Sequence, residues 1–265
     1  QGMWNGKTVS VALPTYNEKE SIRSCIEGLF ATGVVDEVVV CNNNATPGTS
    51  EEVAKTNARE VFEERQGYGW SCRKALAETT GDLVVLSEPD GSFEPFDIFK
   101  LLSYSYDFDV VLGSRTNTEL IWTGANMGWF MKWGNWTVAK YLEFLFNTTT
   151  LTDVGCTMRL LTREVLQVTL PFLAVGGSHF GPEMTLLCNW CGAQVIEVPL
   201  NYKQRVGKSM ATGNRRAAFV VGLQMIALIS RFRVRTWLGM GPKFPRGEFR
   251  NPRHAAPGIS VGHSA

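Results

Sequence analysis

Thr8-Val9-Ser10-Val11-Ala12-Leu13, closed by Pro14, is a short apolar run rich in β-branched residues. Its length and its stop suit a strand covered on both faces, where no polar alternation is needed, and do not suit a helix. After the loop Thr15-Tyr16-Asn17, residues 18–32 place Ile22, Ile26, Leu29 and Phe30 at helical spacing, and Glu37-Val38-Val39-Val40-Cys41 reads as a second buried strand. That is a βαβ unit. The alternation continues with a helix over 50–57, a strand over 60–63, a helix over 68–79, a strand over 82–86, a helix over 97–104 and a strand over 109–112. The pattern predicts an α/β fold, an open, mostly parallel sheet with helices on both faces. Further on come a Trp-rich helical stretch (126–146), a loop with Asp153, a helix with Glu183, a strand over 194–199 and an amphipathic helix at about 216–232. The 265 residues suit one catalytic domain over 1–240, and 241–265, rich in Gly, Pro, Arg and His, reads as a disordered basic tail.

Charge is unevenly placed. Residues 1–200 hold 14 basic and 24 acidic side chains, whereas 201–265 hold 12 basic and a single acidic one, Glu248. The near-zero total gives no reason to expect a nucleic-acid partner, and the basic end suits either phosphate groups, an anionic surface or plain solubility. No run reaches the roughly 18 uninterrupted apolar residues of a membrane span, and the opening residues lack the apolar core of a secretory signal. The expectation is a cytoplasmic protein, with peripheral membrane attachment through the apolar 217–229 stretch and Arg231, Arg233, Arg235 and Trp237 as the variant of that reading. The six cysteines lie in apolar stretches; Cys188 and Cys191 form a CxxC with no second pair near it, so reduced, packed thiols are favoured over zinc.

In open sheets of this kind ligands bind beyond the carboxyl ends of the strands. The loops there are Pro14-Thr15-Tyr16-Asn17-Glu18, Asn42-Asn43-Asn44, Glu88-Pro89-Asp90-Gly91 and Gly113-Ser114-Arg115. Two carboxylates at i and i+2 repel unless a cation lies between them, and oxygen ligands on a loop suit Mn²⁺ or Mg²⁺ shared with phosphate oxygens. Asp90-Gly91 also suits a turn that caps the next helix.

These motifs, in this order and at these strand ends, resemble the family 2 glycosyltransferases of GT-A fold, with Glu88-Pro89-Asp90 in place of the usual Asp-x-Asp and Arg205-x-Gly-x-Ser209 following. The branch most similar is the dolichol-phosphate or polyprenyl-phosphate mannosyltransferases. The resemblance implies that Pro14, Tyr16 and Glu18 hold the nucleoside, with Tyr16 stacking and Glu18 accepting from the base edge. Asn42 and Asn43 stand where the family has acidic residues, and Gly67 lies in its glycine-containing turn. By the same resemblance Asp90 ligates the metal, Glu88 serves beside it on the metal or the sugar, and Arg205, with Lys208 near it, reaches the diphosphate. Arg115 matches the arginine that holds a phosphorylated acceptor. Its usual second clamp in the next helix is missing, Met127 and Trp129 standing there with Lys132 the nearest cation. Asp153 and Arg159 match a segment that positions sugar or acceptor; Asp153 and Glu183 are the candidate bases for a hydroxyl acceptor, and each also suits a cap or turn. His179 is the one histidine near such a site.

The resulting expectation is metal-dependent, inverting transfer of a sugar from a nucleoside diphosphate sugar, of GDP-mannose or UDP-glucose type, to an acceptor, with polyprenyl phosphate favoured. A nucleotide-sugar isomerase or mutase on the same fold, and a non-catalytic nucleotide-sugar-binding module, stay open at this point.

Overall fold

The computed structural model describes residues 2–125, 128–207 and 215–244. The strands and helices in chain order are β1 (Val9–Thr15), α1 (Lys19–Ala31), β2 (Glu37–Asn42), α2 (Thr49–Val53), β3 (Arg59–Phe62), α3 (Tyr68–Glu78), β4 (Leu83–Leu86), α4 (Ile98–Tyr104), β5 (Val110–Ser114), α5 (Trp129–Phe146), β6 (Arg159–Thr162), α6 (Arg163–Thr169), α7 (Phe180–Trp190), β7 (Val195–Pro199) and α8 (Arg215–Trp237). They build a seven-stranded sheet in the order β3-β2-β1-β4-β6-β5-β7, parallel except for β6. Alternate residues of one strand enter opposite cores. Val11 and Leu13 join Ile22 and Ile26 of α1 and Leu101 of α4 on one face, while Ala12 and Val84 join Leu76 of α3, Leu142 of α5 and Met184 of α7 on the other. The open, mostly parallel sheet with helices on both faces is thus present.

β6 and the short helix α6 that follows it are the elements the sequence pattern missed. Arg159-Leu160-Leu161-Thr162 is too short to announce a strand, and it pairs antiparallel with both β4 and β5, Leu86 and Leu112 each facing Arg159. The chain returns from α5 to the carboxyl edge of the sheet, so the strand that enters there must run backwards. Residues 153–159 are thereby delivered to the edge that carries the loaded loops.

Two expectations about the C-terminal part are corrected. α8 extends to Trp237, and its Arg216–Trp237 portion, with mean hydropathy 1.6 over an 18-residue window of which 11% is buried, is long and apolar enough by length and composition to cross a membrane. The charges at its ends, Arg216 and Arg231 to Arg235, break the uninterrupted run that the sequence criterion asks for. Residues 241–244, expected in a disordered tail, are placed against the body. Trp190 Nε1 donates to the Pro242 carbonyl oxygen (3.0 Å), and the Phe172 and Phe244 rings meet edge-on at 5.0 Å. Residues 245–265, with His254 and His263, lie outside the described residues. The cysteines are all free thiols, Cys25 alone being more than slightly accessible.

Candidate active site

Because β1, β2, β4 and β5 run parallel, their carboxyl ends share one edge, and a cavity of about 770 Å³ opens there. Pro14, Tyr16, Glu18, Asn43, Glu88, Arg115, Arg159 and Arg205 border it. Asn42, Gly67, Asp90, Asp153, His179 and Glu183 do not border it themselves. Lys208 and Met127 lie outside the described residues.

The segment after β7 is bound to the turn after β4. Lys203 N donates to Ser92 O and Val206 N to Asp90 O, both at 2.8 Å, which sets Arg205 against Asp90 with Nη2–Oδ2 at 2.7 Å. Asp90 is fully buried, and its Oδ1 accepts from Ser92 N at 2.8 Å. The Arg205 contact is an ion pair not aligned as a hydrogen bond, and Asp90 Oδ2 and Arg205 Nε are both buried with no hydrogen-bond partner among the described residues. Glu88 Oε1 accepts from Thr157 Oγ1 (2.8 Å), which in turn accepts from Tyr68 Oη (3.0 Å). Burial, and then the Asp90 charge, push the Glu88 carboxyl up to about 7.

This chemistry fits a divalent cation. Glu88 and Asp90 are close enough for the charge of one to act on the other, Asp90 Oδ2 is buried with no hydrogen-bond partner among the described residues, and burial and then the Asp90 charge raise the Glu88 carboxyl, a cost that a divalent cation would relieve. Among the described residues no group of three or more His, Cys, Asp or Glu could hold a metal. Mn²⁺ and Mg²⁺ keep waters and substrate phosphate oxygens in most of their coordination sites, so one or two protein carboxylates can hold them.

Glu18 closes the first loop on itself. Its Oε2 accepts from Tyr16 N (2.7 Å), Asn17 N (2.9 Å) and Thr15 Oγ1 (3.1 Å), while Oε1 has no donor among the described residues. Asn42 and Asn43 are fastened to the chain around them. Asn42 Nδ2 donates to Ser50 Oγ and Glu60 Oε1, and Asn43 Nδ2 donates to the Glu63 and Arg65 carbonyls while its Oδ1 accepts from Gly67 N (2.9 Å). Gly67 has φ +151°, and a Cβ there would sit 2.3 Å from Gly176 O, so any larger residue must displace the 175–176 backbone.

The candidate bases are committed elsewhere. Asp153, buried, takes a bidentate ion pair from Arg115 (Nε–Oδ2 2.8 Å, Nη2–Oδ1 3.0 Å) and accepts from Arg115 N and Gly155 N. Glu183 accepts from Ala174 N and Val175 N and holds that loop; burial raises its pKa. Arg159 donates to the carbonyls of Cys156, Thr157 and Gly181, bracing the Thr157 loop against α7. His179 precedes α7; burial lowers its pKa, and its Nδ1 has no hydrogen-bond partner among the described residues.

Sequence reasoning passed over Tyr68, Thr157, Glu197 and Tyr202. Tyr68 follows Gly67 directly, and Thr157 lies inside the Asp153–Arg159 segment, so both had neighbours that pointed to them. Glu197 binds Thr152 and the Asp153 amide, and Tyr202 lies under the Arg115 guanidinium at 5.1 Å; only the sheet topology reveals either.

The model of glycosyl transferase family 2 matches residues 10–170, well over half of the chain. A low-salt glycan biosynthesis hexosyltransferase of Haloferax volcanii is 28% identical over 208 residues, 76% of this chain, which spans only 49% of that relative's length. A dolichyl-phosphate hexose transferase of the same organism is 28% identical over 203 residues, 76% of this chain and 85% of the relative. Among solved structures, glucosyl-3-phosphoglycerate synthase from Mycobacterium tuberculosis with Mn²⁺ and UDP-glucose superposes with TM-score 0.64 at 20% identity, covering 90% of this chain and 81% of that one. Its complex with Mg²⁺ and UDP gives TM-score 0.60 at 20% identity, over 90% and 81%. The fold is therefore GT-A, and the chain is a glycosyltransferase belonging to glycosyl transferase family 2.

Proposed function

We propose that this chain transfers a hexosyl group from a nucleoside diphosphate sugar to a polyprenyl phosphate, with Mn²⁺ or Mg²⁺ as cofactor. The observation that carries the reading is the commitment of Asp153 and Glu183 to backbone and arginine partners, which leaves neither candidate base free to deprotonate an acceptor. An acceptor that is already a phosphate monoester is nucleophilic at neutral pH and needs cations to hold it, not a base to deprotonate it. Arg115, fixed by Asp153 and bordering the cavity, is that cation.

Tyr16 and Glu18 hold the nucleoside, Arg205 grips the diphosphate, and Asp90 with Glu88 would hold the metal. When bound, the metal supplies positive charge that offsets the charge gathering on the departing diphosphate. The acceptor phosphate oxygen forms a bond to the anomeric carbon as the carbon–oxygen bond to the diphosphate breaks, in line and with inversion, and nucleoside diphosphate leaves. The dolichyl-phosphate acceptor of the H. volcanii relative supports the lipid phosphate, and the UDP complexes of the synthase support a nucleoside diphosphate donor. The exposed apolar face of α8, with Arg231, Arg233 and Arg235 near its end, supports seating on an anionic membrane surface.

The test is mass spectrometry of the purified protein with Mn²⁺ and a panel of GDP- and UDP-hexoses, with and without polyprenyl phosphate. Glycosylated lipid with stoichiometric nucleoside diphosphate is expected. A chromatographically new species of unchanged donor mass, formed without acceptor, would make the protein an isomerase instead.

A further inference from the structure

The cavity is divided in character. Its sheet side carries Glu18, Glu88, Arg115 and Arg205; its other side is made by Trp129–Val138 of α5 and Ala218–Ile226 of α8. These two helices are joined in their C-terminal halves, where Tyr141 Oη and Ser230 Oγ are 2.8 Å apart and the Phe146 and Phe232 rings lie 5.7 Å apart. Their N-terminal halves border the cavity. Trp133, Phe219 and Leu223 stand there more than half exposed.

Each helix brings one interior glycine to this groove, Gly134 and Gly222. A glycine inside a helix weakens it relative to alanine, so it needs a reason. Backbone geometry gives none, because neither residue has positive φ. Packing gives none either, because among the described residues a Cβ at either position would meet nothing within 4 Å, whereas at Gly113 it would lie 2.3 Å from Leu200 Cδ1. What glycine does at 134 and 222 is leave the groove bare at two points. An apolar groove that runs directly into a pocket lined by guanidinium groups matches one kind of molecule, with an anionic head and a long hydrocarbon tail. A second copy of this chain would cover the aromatic rims but would put nothing into the polar half of the cavity that the groove opens into.

We infer that the groove between α5 and α8 holds the first isoprene units of the acceptor's polyprenyl chain, with Gly134 and Gly222 leaving room for its methyl branches. This rests on the polyprenyl phosphate reading given above.

The experiment compares geranyl phosphate with undecaprenyl phosphate as acceptors for the wild type and for Gly134→Leu, Gly222→Leu and the Gly134→Ala/Gly222→Ala double variant. In the leucine variants the ratio of kcat/KM for the long acceptor to that for the short one is expected to fall about tenfold, mainly through KM. The double alanine variant is expected to melt above the wild type while its KM for the long acceptor rises. That combination is not produced by a merely structural role, and it carries the test if a leucine variant fails to fold. Folded leucine variants with wild-type ratios overturn the inference, as does a wild-type dimer that the leucine variants convert to monomers. If the wild type glycosylates neither phosphate, the acceptor reading itself falls, and the groove assignment with it.

Discussion

Glu88→Gln separates what the Glu88 charge costs the fold from what it does for the ligand. Gln keeps an oxygen to accept from Thr157 Oγ1 and removes only the ionisable group. Burial and Asp90 raise the Glu88 carboxyl from an ordinary 4.5 to about 7, so the folded protein takes up this proton more readily than the unfolded chain. The associated stability is complete below pH 4.5 and lost as the pH rises through 7. At about 1.4 kcal/mol per pH unit the limit is roughly 3 kcal/mol, and partial exposure of Glu88 cuts this to about 1–2 kcal/mol. Metal-free protein carrying Glu88→Gln should therefore be more stable than the wild type by that amount at pH 8 and equal to it at pH 4. Urea denaturation at both pH values measures the difference. The same variant should need more Mn²⁺ to bind nucleotide at pH 8, by titration calorimetry. A stability difference that does not change between pH 4 and pH 8 would refute the placement of a partly buried Glu88 beside the Asp90 carboxylate.

Arg205→Ala should weaken nucleoside diphosphate binding at least tenfold while leaving nucleoside monophosphate affinity little changed, a contrast equilibrium dialysis can read. Gly67→Ala should lower the melting temperature by several degrees, on the order of 2 kcal/mol, because its methyl collides with Gly176 O; a normal melt would mean that the 175–176 backbone yields freely. Glu183→Ala should lose about 1–3 kcal/mol of stability because the Ala174 and Val175 amides lose their acceptor, yet keep kcat within a few-fold; a hundred-fold loss of kcat in folded protein would restore Glu183 as a base. Binding to vesicles containing phosphatidylserine should fall steeply when Arg231, Arg233 and Arg235 are replaced by Glu, and sedimentation unaffected by the change would remove α8 from the membrane.

The parts of the fold legible in the sequence are those with their own local signal. β1, β2 and β4 are unbroken apolar runs, and the stripe Ile22, Ile26 and Leu29 fixes α1 against one face of the sheet. The Glu88-Pro89-Asp90 turn stood out because paired carboxylates after a buried strand need an explanation. β6 was not legible, since its four residues gain their structure from two flanking strands and not from themselves. Nor were the partners of the candidate side chains. Arg115 and Asp153 are 38 positions apart, and nothing local tells that one will consume the other's hydrogen-bonding capacity. The reach of α8 was hidden by charges at its ends, which interrupt an apolar run without shortening the helix.

The antiparallel β6 has a consequence for how the molecule is made. Until residues 159–162 emerge from the ribosome, β4 and β5 have no partner in common, and the first five strands can form only the four-stranded block β3-β2-β1-β4 with β5 detached from it. The nascent chain must carry the open edges of Leu83–Leu86 and Val110–Ser114 through the synthesis of the whole of α5, an interval of several seconds at ordinary elongation rates. Exposed, fully apolar strand edges invite pairing with other chains. Four residues, Arg159 to Thr162, fill the facing edges of β4 and β5 and join them into one sheet, which β7, Arg205 and the α8 wall of the pocket can complete only afterwards.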